Sequence, residues 1–292
     1  DLPKPSNMEE MAELRTIGQI VEYLQKLSGS EKKKYQFDTI DRRTDVVVNV
    51  VDVGIKRLPA QLKKLNEPDW LDFNLPQGYV ALITDDGTST TAKVAQSLNE
   101  KGWKVVVLNL PPTLVPEKSV LPEGIDRVML TDVCELHLQQ KLHEIATTYG
   151  SVGAFIHIHP LFQVSNTQGV FYSPREKAIV KHIFFIAKYL KKSLTSAAQL
   201  ERACFCTVAR LDGAFGLTNQ VNFGAVGSGL FGLTKTMIWE WANVFCRAID
   251  LSPQLDADTS ARCIIAELHD PNRYLTEVAY GSQGRVTLIA KD

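Results

Sequence analysis

The stretch Tyr79-Val80-Ala81-Leu82-Ile83-Thr84-Asp85-Asp86-Gly87-Thr88-Ser89-Thr90-Thr91-Ala92 decides the fold. Its first five residues form a nearly unbroken apolar run, the pattern of a strand covered on both faces. A polar turn with one glycine follows, and residues Thr88 to Lys101 read as a helix. The same alternation recurs downstream. Trp103 to Leu108 and Asp126 to Leu130 read as strands, Asp132 to about Tyr149 as a helix, and Ala154 to Ile158 as a strand. Pro174 opens a long helix to about Leu194, at a first turn where its missing N–H is not needed. Ala203 to Val208 is a strand, and a long apolar helix runs from about Ala225 to Trp241. Val244 to Ile249 and Val286 to Ala290 are later strands.

Strands alternating with helices imply βαβ units, hence an α/β, Rossmann-like doubly wound parallel sheet. Upstream, the pattern differs. Met8, Met11, Leu14, Ile17, Ile20, Val21, Leu24 and Leu27 recur at helical steps behind a possible cap, Asn7. Gly29 and the basic run Lys32-Lys33-Lys34 then read as a helix end and hinge. Asp45 to Val53 is a β-branched strand candidate. Three parts are expected: a helix and linker over 1–34, a short structural extension over 35–75, and the doubly wound domain over 76–292.

The chain has 292 residues, enough to bury a substantial core. Lys plus Arg is 32 and Asp plus Glu is 33, a formal net charge of -1. That balance argues against a nucleic-acid binder, which needs a basic stripe along the phosphates. Apolar runs are strand-sized, so no membrane span is expected. The opening Asp1-Leu2-Pro3-Lys4-Pro5 does not have a signal-peptide pattern. Five cysteines, none in a CxxC pair, argue against a zinc site or a disulfide framework. Three lie in apolar runs and read as reduced core residues of a cytoplasmic protein.

A doubly wound sheet binds a dinucleotide beyond its first strand, where glycines let a pyrophosphate approach a helix N-terminus. Here Thr84, Asp85, Asp86, Gly87 and Thr88 hold that place. They form either a modified nucleotide loop or a plain turn whose aspartates bind backbone N–H groups. The second strand runs into Leu108-Asn109-Leu110-Pro111-Pro112, without the acidic or Arg partner a ribose requires. His157 and His159 share one side of their strand; that spacing supplies two metal ligands only, and satisfied core histidines are the plainer reading.

Gly229-Leu230-Phe231-Gly232-Leu233-Thr234-Lys235-Thr236 resembles the active-site helix of short-chain dehydrogenase/reductases, and Ala154 to His157 resembles their fourth strand. Thr84-Asp85-Asp86-Gly87, Arg210-Leu211-Asp212-Gly213 and the stretch from Glu240-Trp241 to Asp250 resemble the ketoreductase domains of iterative polyketide and polyunsaturated fatty acid synthases. The similarity runs from about Asp45 to Ala290. The helix from Glu13 to Leu24 resembles the last helix of an acyl carrier protein, without the carrier's Asp-Ser-Leu motif.

This resemblance implies NADPH-dependent reduction of a β-ketoacyl thioester, with acyl carrier protein domains and neighbouring synthase domains as partners and a homodimer as one possible assembly. It implies a Tyr that donates the proton, a Ser that binds the same oxygen and a Lys that lowers the Tyr pKa. In register with the family, the Tyr position is Phe223, the Ser position Arg210 and the Lys position Lys181; Gly227 stands four after the Tyr position. His157 joins the candidate cofactor residues. Two functions follow: a ketoreductase with an altered constellation, using Lys181 and Arg210, or a degenerate ketoreductase-fold domain acting as a scaffold or carrier docking domain.

Overall fold

The structure, a computed structural model, describes residues 58–162, 173–218 and 225–291. The helix and linker of 1–34 and the strand candidate Asp45 to Val53 lie outside them, as does Phe223. The unit described here begins at Arg57.

Among the described residues, nine strands form one sheet. They are β1 (Ala60–Lys64), β2 (Tyr79–Thr84), β3 (Val105–Asn109), β4 (Asp126–Met129), β5 (Ser151–Ile158), β6 (Cys204–Ala209), β7 (Phe245–Leu251), β8 (Glu277–Gly281) and β9 (Gly284–Ala290). The spatial order is β1-β9-β8-β7-β6-β5-β2-β3-β4. From β4 to β8 every pairing is parallel, while β9 runs antiparallel to β8 and β1 antiparallel to β9. The order reverses between β2 and β5, which places the topological switch point there.

Among the described residues, five α-helices cover the faces: α1 (Ser89–Glu100), α2 (Glu135–Thr148), α3 (Pro174–Leu200), α4 (Gly229–Glu240) and α5 (Ala257–His269). A 3-10 turn, Ala225–Ser228, leads into α4. Val94, Ala95 and Leu98 of α1 pack with Ala261, Ile264 and Leu268 of α5 on one face. Leu138 and Leu142 of α2, Ile179 to Leu194 of α3, and Leu230 and Met237 of α4 fill the other. Alternation along β5 splits its residues accordingly: Ala154, Ile156 and Ile158 face α1 and α5, whereas Phe155 faces α3.

Residues 58–75 pack onto this sheet. Leu65, Phe73 and Leu75 join the α1/α5 layer, and Trp70 stacks on His269 at 4.0 Å between ring centroids. Cys204, Cys206 and Cys246 are buried, and the five cysteines are unbridged. Burial pushes the Cys204 thiol up to about 11 and that of Cys246 to about 12, so both stay protonated. No described helix is long and apolar enough to cross a membrane.

Candidate functional site at the switch point

The loop after β2 is closed upon itself. Asp85 is fully buried. Its Oδ2 accepts from Asn109 Nδ2 at 2.8 Å, from the Ser119 backbone N–H at 3.1 Å and from Arg127 Nη1 at 2.9 Å. Its Oδ1 accepts from Gly87 N–H at 3.0 Å. Arg127 also donates to Asn109 Oδ1 at 2.9 Å and to the Ser119 carbonyl. The amide that ends β3, where a ribose partner belongs, is therefore committed to Asp85 and Arg127.

Asp86 is tied down as firmly. Its Oδ1 accepts from Thr88 N–H at 3.0 Å and Thr91 Oγ1 at 2.7 Å; its Oδ2 accepts from Thr88 Oγ1 at 2.7 Å and Arg210 Nη2 at 3.2 Å. Arg210 Nη2 also donates to Thr90 Oγ1 at 2.7 Å. Thr88 caps α1 by accepting from Thr90 N–H at 3.2 Å. Both aspartates thus accept from N–H groups of the turn.

A second segment covers this turn. Gly87 has φ +80°, and a Cβ placed on it would meet Glu117 Cβ at 2.9 Å and the Glu117 carbonyl oxygen at 3.2 Å. The space beside the turn's glycine is filled by Glu117.

At the end of β5 lies a buried polar chain. Thr84 Oγ1 is 2.7 Å from His157 Nδ1, and His157 Nε2 is 3.2 Å from His159 Nδ1. His159 Nε2 lies 3.5 Å from Glu176 Oε1 of α3, which accepts from Gly227 N–H at 2.7 Å. Burial, and then the neighbouring His159, hold the His157 pKa well below the ordinary histidine value, so its ring is neutral. A Cβ on Gly227 would stand 3.0 Å from His159 Cδ2 and 3.3 Å from Glu176 Oε1. Where the resembled family often places Asn or Lys, the side-chain volume belongs to His159 and Glu176.

The sequence-derived residues therefore divide. Thr84, Asp85, Asp86, Gly87, Thr88, His157 and Arg210 are gathered near the switch point. Lys181 is not: it is exposed on α3, its Nζ 5.6 Å from the centroid of the Phe185 ring. The sequence reading passes over Ser119, Arg127 and Glu176; the one signal was Glu176, a lone acid among the lysines of α3. Beyond β6, Asp250 accepts from Leu211 and Phe215 N–H groups at 2.8 Å each. Its burial raises its pKa to about 6 despite those bonds.

No family model matches the chain. A curated relative, one of the polypeptides of the polyunsaturated fatty acid synthase of Thraustochytrium sp., is 24% identical over 97% of the chain, which spans 10% of that protein. A 3-ketoacyl-(acyl-carrier-protein) reductase from Brucella melitensis, solved with NADH, superposes with a TM-score of 0.55 at 16% identity. The match covers 68% of this chain and 94% of that one.

The chain has a Rossmann-like α/β fold similar to that of short-chain dehydrogenase/reductases.

A Serratia marcescens short-chain dehydrogenase/reductase matches the chain with a TM-score of 0.50 at 15% identity, over 68% of the chain and 93% of its own. At these identities the structural matches speak for fold alone. The loop after β2 turns part of its donor capacity inward. Two of its N–H donors already serve Asp85 and Asp86.

Proposed function

We propose that the chain is a catalytically degenerate ketoreductase-fold domain, acting as a scaffold within a polyunsaturated fatty acid synthase-like assembly. One observation supports this reading: Asp85 and Asp86 bind N–H groups of their own turn and Glu117 packs against Gly87, at the turn where a reductase would hold the NADPH phosphates. The Lys, Ser and Tyr positions support it. Lys181 faces outward, Arg210 neutralises Asp86, and the Tyr position is Phe223, which has no proton to give.

Calorimetric titration with NADPH to about 1 mM tests the reading. No heat above dilution is expected, together with no NADPH oxidation in the presence of a β-ketoacyl thioester. A Kd below about 100 μM, roughly −5.5 kcal/mol of binding free energy, would sink it.

The scaffold and reductase readings also part at Arg210. As a scaffold residue, Arg210 compensates a buried carboxylate, with side-chain exposures of 8% for Arg210 and 0% for Asp86. Arg210→Ala is expected to lower stability by about 3 kcal/mol, read by urea denaturation. A variant as stable as the parent would show that Asp86 does not need this cation.

A further inference from the structure

The charges of this domain are unevenly placed. The chain is balanced at a net -1, yet α3 alone carries Arg175, Lys177, Lys181, Lys188, Lys191 and Lys192 against a single carboxylate. That carboxylate, Glu176, is buried and points inward to Gly227 and His159. The exposed charges of the helix are therefore all basic.

The basic residues are ordered as well as numerous. Lys177, Lys181, Phe184, Lys188 and Lys191 follow one another at steps of four, three, four and three, and all five are exposed. At about 100° per residue these positions form one straight seam of roughly 21 Å, opposite the buried line of Ile179, Ile183, Ile186 and Leu190. Phe184, half exposed, stands in the middle of it. Lys188 is held by Glu135 of α2 at 2.9 Å. Lys177, Lys181 and Lys191 meet no carboxylate at ion-pair distance among the described residues.

A four-three seam is the spacing at which one helix meets another along its length. With an aromatic at its centre and lysines on either side, it has the layout of an interface with an apolar anchor and a charged surround. A second copy of this chain is a poor occupant, because two-fold pairing of α3 would set lysine against lysine. The narrow seam matches the width of a helix rather than a lipid surface, for which a broad basic face is needed.

We propose that this seam of α3 docks an acidic amphipathic helix of a protein partner, with Phe184 received by an apolar residue of that helix. The proposal rests on the scaffold reading and names the face through which the scaffold holds its neighbour.

The test uses the whole chain and a fluorescein-labelled helical peptide with glutamates at four-three spacing around a central leucine. A control peptide of the same composition has the order scrambled. Anisotropy at low and at high salt is expected to show saturable binding of the seamed peptide only, weakened at least about tenfold by salt. Lys177→Glu/Lys181→Glu/Lys191→Glu should abolish it and should instead bind a lysine-seamed peptide. Phe184→Ala should weaken binding without changing its salt dependence.

Equal binding of the scrambled peptide, binding that survives charge reversal, or no saturation would each overturn the proposal. So would a dimer in sedimentation that the triple charge reversal dissociates, or equal binding of anionic vesicles to that surface. None of these outcomes bears on NADPH, so the docking claim and the scaffold reading fail separately.

Discussion

Arg247→Ala is expected to destabilise the domain by about 3–5 kcal/mol, the usual cost of removing one member of a buried charge network. Arg247 lies on β7 with no exposed surface. Its Nε is 3.2 Å from Glu267 Oε2 of α5, and its Nη2 is 3.1 Å from Asp270 Oδ2. It also donates to the carbonyls of Asn272, at 3.0 Å, and Leu275. Arg285 of β9 binds the same two carboxylates at 2.6 Å each, and reaches the Asn66 carbonyl at 2.9 Å. Tyr280 of β8 donates to Glu267 at 2.6 Å.

Two cations and two carboxylates thus balance where water does not reach. Alanine at 247 leaves a net negative charge in that space and orphans two carbonyls. The thermal midpoint should fall by roughly 6–20 °C, taking about 2–4 °C per kcal/mol at this size. A fall of a degree or two would mean that water or Arg285 alone compensates. The network joins β7, α5, β8, β9 and the segment after β1, so it fixes the far half of the sheet without touching the switch point.

The sheet's middle was legible because burial on both faces forces continuous apolar runs, as in Tyr79 to Ile83 and Ala203 to Val208. Its far edge was not. β1 reads Ala-Gln-Leu-Lys-Lys, and an antiparallel edge strand needs no apolar pattern to pair with β9. Between Ile249 and Val286 the sequence reading assigns no element, although the residues carry signals. Asp256 caps α5 by accepting from Thr259 N–H at 2.7 Å, and Ala261, Ile264, Ile265 and Leu268 keep helical spacing. β8 is only five residues long, too short for periodicity to speak.

The site was harder for a physical reason. Whether Asp85 and Asp86 face a ligand or the protein depends on partners 24, 34, 42 and 124 residues away: Asn109, Ser119, Arg127 and Arg210. No local pattern encodes such bonds. The same holds for Gly227, whose small size answers to His159 and Glu176 across the layer. Family-like letters at a position therefore reported the backbone path, and their chemistry was decided by side chains elsewhere.

Gly213→Ala puts that distinction to a direct test. Gly213 belongs to Arg210-Leu211-Asp212-Gly213, a phrase that carries the ketoreductase resemblance. It has φ +70°, and a Cβ there would stand 2.2 Å from the Tyr280 carbonyl oxygen and 2.8 Å from Gly281 Cα. Both obstacles are backbone of β8, which cannot turn aside as a side chain can. Left-handed strain of about 1–2 kcal/mol adds to that overlap, so a loss of about 3 kcal/mol or more is expected in urea denaturation. Gly232→Ala is the matched control: at this exposed position of α4 the added Cβ meets nothing within 4 Å, so it should gain up to about 1 kcal/mol. If Gly213→Ala were tolerated, the close approach of β8 to this loop would not exist in solution. If it is as costly as expected, the glycine is explained by packing between the loop after β6 and β8, with no ligand required. A family phrase of this kind persists because the fold itself depends on it, whatever becomes of the reaction.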